Sequence, residues 1–222
     1  MAGVLVIAPH PDDEVLGCGG TIVKHVSEGD EVYLCIVTKA YPPEWSENEI
    51  RERRDEVLKV SKILGIKKTC FLDLPTVKLD TIPQKELNDL IGQVVNQVQP
   101  GIVYIPHRGD ANRDHRLVFE AAMVATRPKP GATVSKVLCY EALSETEWVA
   151  PFVQNVFMPN VYADISAVLE IKLKAMSEYR LELKEFPHPR SVETLTALAQ
   201  MRGAAVGVTA AEAFMLVREI RI

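Results

Sequence analysis

The sequence has no excess of basic residues. Its 222 residues include 25 Lys and Arg against 30 Asp and Glu, which gives a formal net charge of −5. A protein that binds nucleic acid usually presents a basic face, so this balance argues against a nucleic-acid partner. Long apolar runs are absent as well, and we expect no membrane partner.

The apolar run near the N-terminus is short, and no basic residues precede it as they would in a signal peptide. We therefore expect a cytoplasmic protein. Cysteine is scarce, and no two cysteines have the CxxC spacing. This spacing carries no zinc-finger or disulfide signature, so we expect reduced thiols that mostly pack in the core.

Repeats and low-complexity segments are also absent. Hydrophobic residues make up 47% of the chain and charged residues 25%, which is enough apolar material for an ordinary core. The length and the uniform composition predict one domain spanning residues 1–222.

Strand and helix patterns alternate through the first two thirds of the chain. β-Branched apolar runs predict strands, and amphipathic segments that stop at Gly65, Pro100 or Pro128 predict helices. This order predicts an α/β fold with a mostly parallel, Rossmann-like sheet and helices on both faces. The predicted strands are residues 4–8, 31–37, 69–72, 102–105, 134–140, 161–164 and 211–222. The predicted helices are residues 15–27, 47–64, 84–98, 115–126, 167–183 and 192–202.

Two clusters of metal-binding residue types follow two of the predicted strands. Residues 10–14 read His-Pro-Asp-Asp-Glu, and like charges this close cost energy unless something neutralises them. In an open parallel sheet, ligands bind beyond the carboxyl ends of the strands, so the two clusters should meet. The second cluster lies in residues 106–116 and contains His107, Asp110, Asp114 and His115.

Imidazole nitrogens and carboxylate oxygens are good ligands for zinc, and three protein ligands with one open position are typical of catalytic zinc. Zinc lowers the pKa of its bound water to about 7, and a carboxylate outside the ligand set then takes the proton. The residues therefore indicate metal-assisted hydrolysis. They leave open which of Asp12, Asp13 and Glu14 has which role. A structural alternative is that Asp12 caps the helix that follows.

Four segments resemble one protein family. APHPDDEVLGCGG (residues 8–20) closely resembles the N-terminal signature of the LmbE/PIG-L family of zinc-dependent N-acetyl-sugar deacetylases. HRGDANRDHR (residues 107–116) resembles the second metal motif of that family. IRERRDEVLKVSKILGI (residues 50–66) and RGAAVGVTAAEAF (residues 202–214) resemble two further family segments. The resemblance implies an LmbE-like three-layer sandwich.

The resemblance also implies roles for individual residues. His10, Asp13 and His115 would bind Zn²⁺, and Asp12 would be the general base that activates the zinc-bound water. Iron or cobalt remains an alternative metal, because mixed His/Asp sites discriminate poorly between these ions.

Other residues are expected around this set. Arg53 would contact the substrate, and Asp114 would orient a neighbouring group. We expect His107 and Asp110 to support the ligands without binding the metal.

One position departs from the family pattern. Many members have at this place a histidine that helps to stabilise the oxyanion. This chain has Asn112, which we expect to contact the substrate, since it can donate a hydrogen bond but cannot carry a proton. His188, in the loop FPHPRS (residues 186–191), resembles a C-terminal histidine that some sugar deacetylases place in the active site. The alternative is that two prolines hold His188 only to shape the loop.

The expected function is removal of the acetyl group from an N-acetylated amino sugar, free or conjugated. By analogy with relatives, a homo-oligomer is expected, in which His188 could serve a neighbouring pocket. Two alternatives remain: a non-catalytic metal- or sugar-binding protein, and a receiver-type signalling domain phosphorylated on Asp73. The receiver would need a lysine after the fifth strand, whereas Lys136 opens that strand.

Overall fold

The structure is a computed structural model and describes residues 3–221. Its strands are β1 Gly3–Ala8, β2 Glu31–Lys39, β3 Lys68–Pro75, β4 Ile102–Pro106, β5 Lys136–Tyr140, β6 Val161–Asp164 and β7 Ala211–Glu219. Its α-helices are α1 Asp13–Ser27, α2 Glu47–Leu64, α3 Gln84–Val98, α4 Arg113–Ala125, α5 Leu169–Glu178 and α6 Val192–Ala204.

The seven strands form one sheet in the order β3-β2-β1-β4-β5-β7-β6. Strands β1 to β5 run parallel, with Val4 of β1 opposite Val32 of β2 and Ile102 of β4. Strand β7 is antiparallel to both of its neighbours, β5 and β6. The predicted α/β class with a mostly parallel sheet is confirmed.

The central strand β1 is buried on both faces, which is why it reads as an uninterrupted apolar run. Val4 and Val6 face a core that includes side chains from α1, α2, α5 and α6. Leu5 and Ile7 face a second core built from α3 and α4. In the part of the chain that the structure describes, none of the helices has both the length and the apolar character needed to cross a membrane.

Local capping explains the bounds of α2. Helix α2 begins after Ser46, whose hydroxyl accepts from the Glu49 N–H while the Glu49 carboxylate accepts from the Ser46 N–H. It ends at Gly65, which adopts a left-handed conformation with φ 75°. The bounds of α2, α3 and β6 agree with the prediction.

Most other boundaries differ from the prediction by a few residues, among them those of α4, α5 and β7. Helix α4 begins at Arg113, because the side chain of Asn112 accepts from the Asp114 N–H and caps the helix there. Helix α5 ends at Glu178 and not at residue 183, because the chain turns at the buried Tyr179. Strand β7 ends at Glu219, before the predicted end at residue 222. Residue 222 itself lies outside the described residues.

Close packing of α1 explains the glycines of its first turns. A Cβ added at Gly17 would lie 2.3 Å from Cδ2 of Tyr140, and one at Gly20 would lie 2.6 Å from Cγ2 of Ile165. Larger side chains at these positions would push α1 away from the sheet. The first residue of this helix is Asp13, so the packing of α1 also sets the position of the acidic cluster.

The buried ion pair of Lys172 and Glu212 holds helix α1 in place through hydrogen bonds to its backbone. Lys172 Nζ donates to Leu16 O at 2.9 Å and to Glu212 Oε1 at 2.6 Å. Glu212 in turn accepts from the backbone N–H groups of Gly20 at 2.9 Å and Thr21 at 2.7 Å. In a regular α-helix the carbonyl oxygen of Leu16 and the N–H of Gly20 belong to the same turn. The ion pair of Lys172 and Glu212 therefore contacts both backbone groups of one turn of α1.

Candidate active site

The two sequence clusters meet at the carboxyl ends of β1 and β4. The ligand atoms of His10, Asp13 and His115 all lie within 4.8 Å of one another. Asp13 Oδ2 lies 3.3 Å from His10 Nδ1 and 3.3 Å from His115 Nε2. The topology of the sheet therefore brings together residues that lie about a hundred positions apart in the chain.

A carboxylate holds each histidine at the nitrogen that points away from Asp13. His10 Nε2 donates to Asp114 Oδ2 at 3.0 Å, and His115 Nδ1 donates to Asp110 Oδ2 at 2.8 Å. Carboxylates in this position fix the orientation and the tautomer of metal-binding imidazoles. The unbonded nitrogens, Nδ1 of His10 and Nε2 of His115, are left on the side of Asp13.

The set of three donors fits a divalent cation. Asp13 Oδ1 and His115 Nε2 are both buried and have no hydrogen-bond partner among the described residues. Each buried polar atom left in this state costs about 1–3 kcal/mol, and a bound cation would satisfy both. Two imidazoles and one carboxylate are ligands that zinc accepts, and three protein ligands leave one position open.

The electrostatics of the cluster also favour positive charge. Burial opposes charge on His10, but hydrogen bonds with Asp114 and Asp13 prevail and raise its pKa to about 9. Burial likewise opposes charge on His115, whose pKa is nevertheless raised by Asp13 and Asp110. Burial tends to raise the pKa of Asp13, and the two histidines lower it below its usual value. The carboxylates thus attract protons or a metal ion to the same place.

Asp114 also anchors the loop after β3. Its carboxylate accepts from the N–H groups of Val77 at 2.6 Å and Leu79 at 3.3 Å. Val77 has φ 57°, a conformation that β-branched residues seldom adopt. The hydrogen bond to Asp114 stabilises this backbone and keeps the loop against His10.

Asp12 occupies the capping position of α1 but does not cap the helix. Its backbone has φ 105°, and its side chain makes no capping hydrogen bond. Its Oδ2 lies 3.0 Å from Nη1 of Arg190, an ion pair rather than a well-aligned hydrogen bond. Burial raises the pKa of Asp12, and the charge of Arg190 opposes this rise. The structural alternative, in which Asp12 serves as a cap, is therefore wrong.

A cavity of about 440 Å³ opens beside the cluster. This volume is typical of a site for a small molecule. His10 and Asp12 form part of its wall. The other lining residues that matter here are Trp45, Arg53, Asn112, Glu145, Glu182 and Arg190.

Arg53 and Asn112 each bring hydrogen-bond donors to this cavity. Arg53 forms an ion pair with Glu182, while its Nε is buried without a hydrogen-bond partner among the described residues. Asn112 uses its side-chain oxygen to accept from the Asp114 N–H at 3.0 Å. Its amide N–H groups have no hydrogen-bond partner within residues 3–221, so they remain for a molecule in the cavity.

Two histidines singled out from the sequence lie apart from this set. His188 accepts from the Arg190 N–H at 3.0 Å, packs against Trp148 and does not line the cavity. His107 is buried, and its Nε2 lies 3.0 Å from the carbonyl oxygen of Asn155. Among the described residues, no hydrogen bond or ring contact joins either histidine to the side chains of His10, Asp13 and His115. The proposed parts of His188 in catalysis and of His107 in support of the ligands remain predictions without support from this geometry.

Sequence reasoning missed the charged residues around Asp12. Arg190 contacts Asp12, Glu182 and Glu145 through its two terminal nitrogens. Arg190 lies only two residues after His188, in the same loop. A loop has no periodicity that would show which side chain points inward, so the sequence offered no signal for preferring Arg190.

The receiver-type alternative finds no support in the structure. Lys136 begins β5, at the opposite edge of the sheet from Asp12, and pairs with Glu219 at 3.0 Å. Asp73 forms an ion pair with Arg54 at 2.9 Å.

The sheet topology and the site define a class: α/β proteins with a three-donor His/Asp/His set at the carboxyl edge of a mostly parallel sheet. The family model for PIG-L, described as GlcNAc-PI de-N-acetylase, matches residues 5–126. The chain therefore belongs to the PIG-L family, and the LmbE/PIG-L resemblance inferred from its motifs is confirmed.

Individual relatives share most of the chain. It is 30% identical over 187 residues to a protein of Escherichia coli K12 named uncharacterized deacetylase YaiS, covering 80% of this chain and 90% of that protein. It is 31% identical over 192 residues to the diacetylchitobiose deacetylase of Thermococcus kodakarensis, covering 82% of this chain and 70% of the relative.

Solved structures show the same fold. The conserved protein TT1542 of Thermus thermophilus superposes with a TM-score of 0.80 at 27% identity, covering 100% of this chain and 97% of that one. GalB of Pseudomonas putida KT2440, a 4-carboxy-2-hydroxymuconate hydratase, has a TM-score of 0.77 at 21% identity and covers 100% and 98%. The likeness to GalB shows the fold alone, so the chemistry has to be argued from the site.

Proposed function

We propose that this chain is a zinc-dependent deacetylase that hydrolyses the acetamide of an N-acetylated amino sugar of the N-acetylglucosamine type, free or conjugated. The observation that carries the proposal is the buried three-donor set with its unpaired atoms Asp13 Oδ1 and His115 Nε2, next to Asp12 at the wall of a cavity. Relatives named as deacetylases, one of them for diacetylchitobiose, support it.

In this proposal His10, Asp13 and His115 hold the metal. Bound zinc would polarise the acetyl carbonyl and lower the pKa of a water molecule. Asp12, which follows the same strand and lines the cavity, takes a proton from the attacking water. Because His188 does not line the cavity, Asp12 then returns this proton to the departing amine nitrogen.

The remaining wall of the cavity positions the substrate. The amide N–H groups of Asn112 are free to donate to the acetyl oxygen as negative charge develops on it. Arg53 lines the cavity, and its guanidinium offers donors for a sugar hydroxyl. Trp45 provides an aromatic face that suits the apolar face of a sugar ring.

The first experiment measures zinc per chain and acetate release from N-acetylglucosamine and diacetylchitobiose, for the wild-type protein and for His115→Ala. We expect about one zinc per chain, as three ligands with an open position imply, and loss of both zinc and activity in the variant. Asp89→Asn is the control, because Asp89 is an exposed residue of α3 that pairs with Lys85 and belongs to no group of possible metal ligands among the described residues.

Two results would contradict the proposal. Full activity in His115→Ala would remove the metal from the mechanism. A wild-type protein that binds zinc and N-acetylglucosamine but releases no acetate would instead be a non-catalytic binding protein.

A further inference from the structure

Arg190 forms the polar wall behind Asp12. Its guanidinium is mostly buried, and Nη1 lies 3.0 Å from Asp12 Oδ2 and 2.8 Å from Glu182 Oε2. Its Nε donates to Ser144 Oγ at 2.7 Å, and Nη2 lies 3.5 Å from Glu145 Oε1. Three carboxylates and one hydroxyl thus surround a single cation.

The backbone on either side of Arg190 is well anchored. Its N–H donates to Nδ1 of His188 at 3.0 Å, and its carbonyl accepts from the Lys184 N–H at 3.2 Å. The next residue, the buried Ser191, caps helix α6 by accepting from the Thr194 N–H at 3.1 Å. Arg190 therefore projects from a fixed base towards the cavity.

Asp12 depends on this contact for its orientation. The terminal torsion of an aspartate side chain is broad and roughly two-fold, so a partner has to select one orientation of the carboxylate. Within residues 3–221, Arg190 is the one cation in ion-pair contact with Asp12. Since Oδ2 is buried and Asp12 lines the cavity, Oδ1 is the oxygen available to a molecule in the cavity.

We propose that Arg190 is the positioning residue of this site: it holds Oδ2 of Asp12 so that Oδ1 faces the reacting water. The inference rests on the proposed function, in which Asp12 is the general base. Lysine could not replace Arg190, because one ammonium group cannot reproduce the fork that contacts Asp12, Glu145 and Ser144 together.

The structure also links the Asp12–Arg190 pair to the rest of the cavity wall. Glu182 accepts from Arg190 through Oε2 and from Arg53 through Oε1. The order Asp12, Arg190, Glu182, Arg53 is thus an alternating row of charges along the cavity wall. A single carboxylate fixes both the arginine that orients the base and the arginine proposed to contact the sugar.

The test compares Arg190→Ala and Arg190→Lys with the wild-type protein. For Arg190→Ala we expect kcat to fall about 100-fold, as for a misplaced catalytic group, with KM and zinc content little changed. Added guanidinium ion should restore part of the kcat of this variant, and Arg190→Lys should recover only part of it. A merely structural arginine would not produce rescue by a free ion.

Arg202→Ala is the matched control. Arg202 is buried to a similar degree and forms a double hydrogen bond with Glu141, but it does not line the catalytic cavity. We expect its kcat to remain at the wild-type value. An unchanged kcat in Arg190→Ala would overturn the inference. A loss of zinc and of thermal stability in both Arg190 variants would also overturn it, because Arg190 would then hold the fold rather than Asp12.

A crystal structure of zinc-loaded Arg190→Ala gives a readout that does not depend on turnover. We expect the Asp12 carboxylate to rotate away from its wild-type orientation, and an unchanged orientation would overturn the inference. If the wild-type protein released no acetate while Asp12 rotated in the variant, the deacetylase proposal would fail and the positioning role of Arg190 would stand.

Discussion

At the scale of single residues, the carboxylates that hydrogen-bond His10 and His115 determine the geometry of the proposed metal site. Asp110 accepts from His115 through Oδ2 and from the Thr146 hydroxyl through Oδ1, at 2.8 Å and 2.7 Å. Both oxygens of this buried carboxylate are used, so its orientation is fixed. It therefore holds the His115 ring in one tautomer.

Replacing Asp110 by asparagine should weaken zinc binding. Loss of the carboxylate charge makes His115 a poorer ligand, and changes at such supporting positions cost roughly 10- to 100-fold in metal affinity or activity. Competition with a chromophoric chelator would measure the change. Asp89→Asn, at an exposed position of α3, is the control. Equal zinc affinity in Asp110→Asn and the wild-type protein would show that the His115 contact is not used to support a metal.

The adjacent acids Asp12 and Asp13 should respond differently to the same substitution. Asp12→Asn should lower kcat by about 10²- to 10⁴-fold, the usual contribution of a general base, and leave zinc bound. Asp13→Asn should lose zinc, because it removes a proposed ligand. Metal analysis and acetate release on the two variants would separate these roles. Loss of zinc in Asp12→Asn would place Asp12 among the ligands.

At the scale of the elements, helix α1 has a special position because its first residue is Asp13. Glycines let it pack tightly on Tyr140 and Ile165, and the pair formed by Lys172 and Glu212 contacts its middle turn. Both members of this pair are almost fully buried. A buried charge that loses its partner is strongly destabilising, so the pair holds α1 only while both residues are present.

Lys172→Met should therefore lower the free energy of unfolding by about 3–5 kcal/mol. The double variant Lys172→Met/Glu212→Gln should lose less, because it leaves no buried carboxylate without a counter-charge. Urea unfolding of the two variants would measure both values. Lys85→Met, which removes the exposed pair with Asp89, should change stability little. A double variant less stable than Lys172→Met would contradict this account of the pair.

At the scale of the whole molecule, the proposed metal joins two halves of the sheet. His10 and Asp13 follow β1, and His115 lies in the first turn of α4, which follows β4. A ligand that binds only the folded state stabilises it by mass action. Zinc should therefore stabilise the complete fold and not only the loop that binds it.

At free zinc about 100-fold above its dissociation constant, we expect the Tm to rise by about 5–10 °C. His115→Ala should show no such rise, because the set would lose its ligand from α4. Thermal unfolding of both proteins, with zinc and with a chelator, would measure the difference. A zinc-dependent rise of the same size in His115→Ala would place the metal elsewhere.

The end of a helix can be predicted from the sequence where the contacts that stop it lie within the same segment, and not where they come from elsewhere in the fold. The bounds of α2 were predictable, because Ser46, Glu49 and Gly65 cap it with contacts inside the same segment. The end of α5 was not predictable, since the chain turns where the hydroxyl of Tyr179 donates to Glu14 of helix α1. The apolar pattern continues past that point, and only the buried contact stops the helix.

The sequence by itself determined the order of strands and helices, the parallel sheet and the two acidic clusters at its carboxyl edge. Hydrophobic periodicity and the short motif at residues 10–14 are local, so they can be read without coordinates. Only the tertiary structure decided that Asp114 supports His10, that Asp110 supports His115, and that Arg190 rather than His188 reaches Asp12. Apart from the Asp110–His115 pair, each of these contacts joins residues far apart in the chain, and even that pair requires the turn into α4. Their geometry follows from how the sheet and its loops pack, and the spacing of the residues along the sequence does not encode it.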